Sequence, residues 1–244
     1  MCKDNWIYKI WIIIYPIIIY YTVLSICSLL ITDNGVLATT LAGLLALPVF
    51  TTLFYKDKKK FNFTIHSGNI KPYYMILVII AGITACIGLN FLITLIQLHV
   101  PFNDYADTAE TIFTSHLILQ LIGVGIIAPI TEEFVFRGLI FTRLKRLMKR
   151  NLAIFISALL FGIYHGNVIQ GIYAFIFGLI LAFLYEKYGT ITAPVQFHIA
   201  ANITSLIVQQ MNLEMDILML IIVTIICLTI LILILYLVNK NVKR

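Results

Sequence analysis

Six side chains in three short stretches of this sequence can together activate a water molecule and hold the negative charge that its attack creates. The first stretch reads Ala128-Pro129-Ile130-Thr131-Glu132-Glu133-Phe134-Val135-Phe136-Arg137-Gly138, the second Phe161-Gly162-Ile163-Tyr164-His165-Gly166, and the third His198-Ile199-Ala200-Ala201-Asn202. A carboxylate and an imidazole can deprotonate water, and an imidazole with a carboxamide can donate hydrogen bonds to the oxyanion formed when water attacks a carbonyl. Those are the parts of a peptide-bond hydrolase. Other hydrolytic solutions are missing: there is no HExxH, no GxSxG, and no aspartate inside an apolar run to form an aspartic dyad. With no thiol near the cluster, direct attack by water is the simplest chemistry.

Helical spacing already sorts these groups. Glu133 and Arg137 are four apart, acid before base, and form a self-neutralising pair on one face. Glu132 is rotated about 100° away and has no cation near it in sequence. Pro129 interrupts the helix just upstream and is expected to loosen it, admitting water or substrate beside the carboxylates. Phe161 and His165 share a face, as do His198 and Asn202. Gly162 and Gly166 form a small-xxx-small pair that is expected to admit another helix closely. Taken singly, the same residues have plainer readings: an intramembrane ion pair for Glu133 and Arg137, and interhelical hydrogen bonds for His165 and Asn202.

The elements that must position these residues are membrane spans. Of 244 residues 61% are apolar and only 11% charged, which excludes an ordinary soluble domain and a disordered chain. Apolar runs of about 20 residues recur throughout, where a β-barrel would show short alternating segments. The fold class is therefore all-α, a polytopic membrane protein of about eight transmembrane helices with an intramembrane polar site. The spans fall near 7–31, 36–54, 73–98, 113–142, 152–165, 168–186, 192–211 and 216–238. The chain reads as a single transmembrane domain over 1–244, with its motif-bearing core at about 113–211. A charge inside a span costs about 2.5–3.5 kcal/mol on insertion scales, so the clustered polar groups are functional candidates. Cys2, Cys27, Cys86 and Cys227 have neither CxxC nor metal-type spacing.

The net charge of +6 reflects orientation and not nucleic-acid binding, because the basic residues gather at span ends. Lys56, Lys58, Lys59 and Lys60, the segment Arg143 to Arg150, and Lys240, Lys243 and Arg244 alternate with loops carrying Asp33, Asp104, Asp107, Glu110, Glu214 and Asp216. The positive-inside rule then predicts a multi-pass cell-membrane protein with both termini cytoplasmic. It places Glu132 about 16 Å and His198 about 9 Å from the inner boundary, so the cavity is expected to open on the cytoplasmic side or laterally into lipid there. His66, His99 and His116 are expected to be solvated.

In this order on successive apolar helices, Glu132-Glu133-x-x-x-Arg137, Phe161-x-x-x-His165 and His198-x-x-x-Asn202 resemble the three motifs of the CPBP, or Abi, family. That family joins type II CAAX prenyl endopeptidases to bacterial bacteriocin-processing and self-immunity proteins. The resemblance implies an intramembrane endopeptidase in which Glu132 and His165 activate water and His198 and Asn202 form the oxyanion hole. It gives Glu133 and Arg137 an orienting role, with Glu133 also a candidate for direct participation, and Phe161 a place beside them. A glutamate-dependent reaction requires no metal cofactor; zinc stays open because the family was first taken for metalloproteases. The implied partner is a peptide or protein at the bilayer, in leader-peptide, pheromone or bacteriocin processing or immunity. Two other function classes use the same residues: a non-catalytic immunity or scaffold protein, and a proton-coupled transporter with Glu132, Glu133, His165 and His198 as relay.

Overall fold

The computed structural model describes residues 5–62, 72–98, 115–211 and 213–242. Every regular element among them is helical: α1 (Trp6–Leu30), α2 (Gly35–Phe61), α3 (Pro72–Gln97), α4 (Leu117–Leu147), α5 (Arg150–Tyr164), α6 (Val168–Tyr188), α7 (Thr192–Gln210) and α8 (Ile217–Asn241). The eight helices match the eight expected spans in order. Six are long and apolar enough to cross a membrane; α5 is shorter, and α7, which carries Gln196, His198, Asn202 and Ser205, is not among the six. Asp104 to Glu110, His66, His99, Cys2, Lys243 and Arg244 lie outside the described residues.

Local sequence sets where the helices begin and end. Asn5, Asn34, Asn167 and Asp216 each accept a hydrogen bond from a backbone N–H of the following turn, satisfying donors that the helix leaves free. The second helix runs past its expected end through the lysine stretch to Phe61, with Lys58, Lys59 and Lys60 in its last turn, where cations favour the helix dipole.

The helix α4 stands at the centre, against α1, α2, α5, α6 and α7, while α8 covers the outer side of α3. In the second half of α4, Val135, Phe136, Leu139, Ile140 and Phe141 have no exposed surface. Apolar side chains of α8 such as Ile225, Ile232 and Leu233 are exposed, as a lipid-facing surface requires.

Successive helices alternate in direction. One end of the bundle gathers Lys56 to Lys60, Lys145 to Arg150, Lys187 and Lys240, and is tied together by Arg143 to Asp57, Lys145 to Glu186, and Lys187 to the Asn239 carbonyl. At the other end Ser115 donates to Asn34 at 3.2 Å, and the described charges there are Asp33, Glu214 and Asp216. We call these the basic and acidic ends.

Candidate active site

Pro129 governs the backbone at the site. The helix α4 does not break there but widens into π-type turns at Gly123–Ile127 and Phe134–Phe141, on either side of an α-helical turn and a half, Ala128–Glu133. The Ala128 N–H donates to the Gly123 carbonyl, and Pro129 has no N–H, so the Val124 carbonyl has no donor from the following turn. Asn202 supplies one: its Nδ2 donates to Val124 O at 2.9 Å, joining α7 to the bulge. The expected loosening is thus a change of helical pitch, with the orphaned carbonyl answered by a side chain from another span.

The two adjacent carboxylates have different surroundings. Glu133 has no exposed surface, and its Oε1 accepts from Arg137 Nη1 at 2.9 Å and from His198 Nδ1 at 2.9 Å. Arg137 is fully buried, donates to the Gly178 carbonyl at 3.3 Å, and lays its guanidinium over the Phe161 ring at 4.4 Å. Glu132 turns the other way. It lines a cavity of about 800 Å³, with its Oε2 3.8 Å from His198 Nε2. His198, Asn202, Phe161 and His165 line the same cavity, whereas Glu133 and Arg137 do not.

Phe161 is the common support. The rings of His165 and His198 meet it edge-on at 4.8 and 5.8 Å, while Arg137 covers its face. His165 follows the last residue of α5, and its Nδ1 lies 2.8 Å from the Phe161 carbonyl. A carbonyl only accepts, so Nδ1 carries the hydrogen and the neutral ring keeps its acceptor at Nε2. His198 is held in the same sense by Glu133, so its Nε2 donates only when both nitrogens carry protons. Gly162 of the glycine pair does admit a neighbour: a Cβ there would stand 2.7 Å from the Gly171 carbonyl of α6. Gly166 does not. It has φ +70° and open space around it, so it serves the α5–α6 turn and not helix packing.

The cavity differs from expectation in depth and direction. Glu132 stands midway along α4, because that helix runs on to Leu147. The cavity is lined by Ser28 and Gly35 where α1 meets α2, by Gln97 at the end of α3, and by Gln170 near the start of α6. All lie toward the acidic end, and none of the described lining residues comes from the basic end, toward which the cavity was expected to open. Of the lining helices α5 is the shortest: its 15 residues rise about 22 Å, less than the roughly 30 Å of a bilayer core, and its end at Tyr164, with the turn at His165 and Gly166, lines the cavity.

Asn90, Gln97, Gln170 and Tyr173 also line the cavity and were not singled out from the sequence. Asn90 carried the signal that revealed the other groups, an amide inside an apolar run. The tyrosine had none, being one of 13 in a chain rich in aromatic residues. His116, expected to be solvated, caps the start of α4 by accepting from the Ile118 N–H.

Comparison with known proteins coincides with this region. Residues 114–204 match the family described as Type II CAAX prenyl endopeptidase Rce1-like. A protein of Bacillus subtilis (strain 168) named "Putative membrane peptidase YdiL" is 33% identical over 91 residues, which are 37% of this chain and 37% of that protein. The match therefore spans little more than a third of the relative's length. No solved structure matches the chain. The family model and the relative support the resemblance to the CPBP family read from the three motifs of this polytopic membrane protein.

Proposed function

We propose that this protein is an intramembrane endopeptidase that hydrolyses a peptide bond of a membrane-associated peptide or protein. The observation that carries the reading is the separation of the two glutamates. Glu132 faces a cavity shared with His165, His198 and Asn202, while Glu133 and Arg137 form a sealed pair behind it.

In the proposed reaction, water held between Glu132 and the Nε2 acceptor of His165 attacks the substrate carbonyl carbon. Glu132 takes the water proton, the carbon–nitrogen bond breaks, and the same proton passes to the leaving amine. His198, protonated on both nitrogens, donates from Nε2 to the oxyanion while its Nδ1–H stays on Glu133, and the second amide hydrogen of Asn202 supplies a further donor. In that state two carboxylates, one guanidinium and one imidazolium sum to zero, the balance a buried site needs. Glu133 and Arg137 orient His198 and Phe161.

Among the described residues no three His, Cys, Asp or Glu side chains are grouped to hold one ion, and the proposed reaction assigns no step to a metal. We assign the basic end of the bundle to the cytoplasm, with both termini on that side.

The test is hydrolysis by purified protein of peptides encoded beside its gene, comparing the wild type with Glu132→Gln and His165→Ala, with and without a chelator. Cleavage lost in both variants and unchanged by the chelator is expected. Loss with the chelator would require a metal. Full biological activity of Glu132→Gln would instead favour a binding protein, and loss accompanied only by altered proton flux a transporter.

A further inference from the structure

The cavity reaches well beyond the four groups assigned to chemistry. On α1, α2, α3, α5 and α6 the lining residues occupy the half nearer the acidic end; on α4 they run from Val124 to Glu132 at its middle, and on α7 from His198 to Leu206. On the first group they include the last turns of α1 and α3, the first turn of α2 and the first half of α6. None comes from the basic end. The polar groups in this upper part are amides and hydroxyls: Ser28, Asn90, Thr94, Gln97, Gln170 and Ser205. Among the described residues that line it, Glu132 is the one carboxylate and none is a lysine or arginine. Between the amides the wall is apolar, with Leu24, Val36, Ile93, Ile169 and Leu206.

Two consequences follow from this chemistry. Carboxamide side chains both donate and accept, so they can pair with the N–H and C=O groups of an extended peptide that has left water; Asn90, whose Nδ2 donates to the Cys86 carbonyl and the Tyr173 hydroxyl, offers its Oδ1 to a peptide N–H. An acidic side chain entering the same space would be desolvated beside Glu132, with no lysine or arginine among the described lining residues to answer it, at a cost of several kcal/mol. The charges outside the cavity settle its side. All described lysines and arginines except the buried Arg137 gather toward the basic end, which the positive-inside rule assigns to the cytoplasm. The lining residues reach the opposite end, where Gly35 follows the exposed Asp33 by two residues in sequence.

We infer that the cavity receives its substrate from the extracytoplasmic face, as an extended stretch of peptide without acidic side chains, whose backbone is held by Asn90, Gln97 and Gln170. This rests on the endopeptidase reading for the word substrate, but the side of entry and the exclusion of acidic side chains stand on the cavity itself. A secreted or exported peptide has such a stretch available on that face; a cytosolic tail does not.

Thiol labelling tests both parts on the full-length protein in its membrane. With Cys2, Cys27, Cys86 and Cys227 replaced by alanine, Gln97→Cys, Gln170→Cys and, at the basic end, Lys149→Cys are exposed in intact cells to a membrane-impermeant maleimide. Cys27, Cys86 and Cys227 are buried, so the same variants in a background carrying only Cys2→Ala guard against a cysteine-free chain that fails to fold. Gln97→Cys and Gln170→Cys are expected to label in intact cells, and Lys149→Cys only after permeabilisation. The reverse pattern overturns the side of entry.

In membranes made accessible from both faces, an end-blocked alanine–leucine peptide is expected to slow labelling of Gln170→Cys several-fold. The same peptide carrying glutamates is expected to have no effect. Equal protection by both peptides, or by neither, overturns the substrate class. Labelling needs no turnover: a protein that hydrolyses peptides but labels from the basic side contradicts this inference alone, and one that labels as expected but never hydrolyses contradicts the endopeptidase reading alone.

Discussion

At the basic end, α1, α2 and α4 are drawn together by one side chain. Arg143, only 4% exposed, donates to Asp57 at 2.6 Å, to the Ile12 carbonyl at 2.6 Å and to the Tyr15 hydroxyl at 2.7 Å, with the Tyr15 ring beneath it at 4.9 Å. Toward the acidic end the same three helices part around the cavity, where Glu132 has no lysine or arginine partner and the backbone of α4 widens into a π-type turn. Both regions bury charge, but in one each charge is answered and in the other Glu132 is left to face a space. The difference teaches how a bundle can hold a reactive carboxylate: tight pairing at one end and at the Glu133–Arg137 layer lets the other end stay hollow.

That contrast can be broken from the paired side first. Arg137→Met leaves Glu133 buried with His198 as its remaining partner, and such a broken pair is worth about 3–5 kcal/mol. A large fall in thermal midpoint in detergent is expected, with hydrolysis lost through loss of fold; an unchanged midpoint would mean that the pair does not hold the layer. Arg143→Ala removes several charge-assisted hydrogen bonds at the basic end and is expected to cost about 2–3 kcal/mol. Because it stands far from the cavity, kcat of the folded fraction should be unchanged, which active-site titration with single-turnover kinetics would check.

The smallest effect sharpens the hollow side. Asn202→Ala orphans the Val124 carbonyl, whereas Pro129→Ala restores an N–H that can serve it. In a double-mutant cycle the cost of Asn202→Ala is therefore expected to shrink by about 1 kcal/mol when Pro129→Ala is present. Additive costs would show that the amide does not replace the missing backbone donor.

Much of this site was legible in the sequence because polar groups are conspicuous in apolar spans. Glu132, His165, His198 and Asn202 stand out there, and the four-residue spacing of Glu133 and Arg137 gives their pairing directly. What was not legible depends on distances between elements. The bond from Asn202 to Val124 joins residues 78 apart in sequence and follows from a proline whose effect on pitch no local rule fixes. The cavity is lined by the end of α5 at Tyr164, and Glu132 stands midway along an α4 that runs on to Leu147, boundaries that hydropathy marks only softly. Gly166 was read as a packing residue because its spacing from Gly162 suited one, although its positive φ belongs to a turn.

The most direct measurement sets the adjacent carboxylates against each other: turnover and thermal midpoint of purified Glu132→Gln and Glu133→Gln on a peptide that the wild type cleaves. Glu132→Gln is expected to keep the wild-type midpoint and to lose at least about 100-fold in kcat, the scale of a missing general base, while Glu133→Gln loses stability. Glu132→Gln turning over at the wild-type rate would contradict the account, because the carboxylate facing the cavity would then have no part in the chemistry.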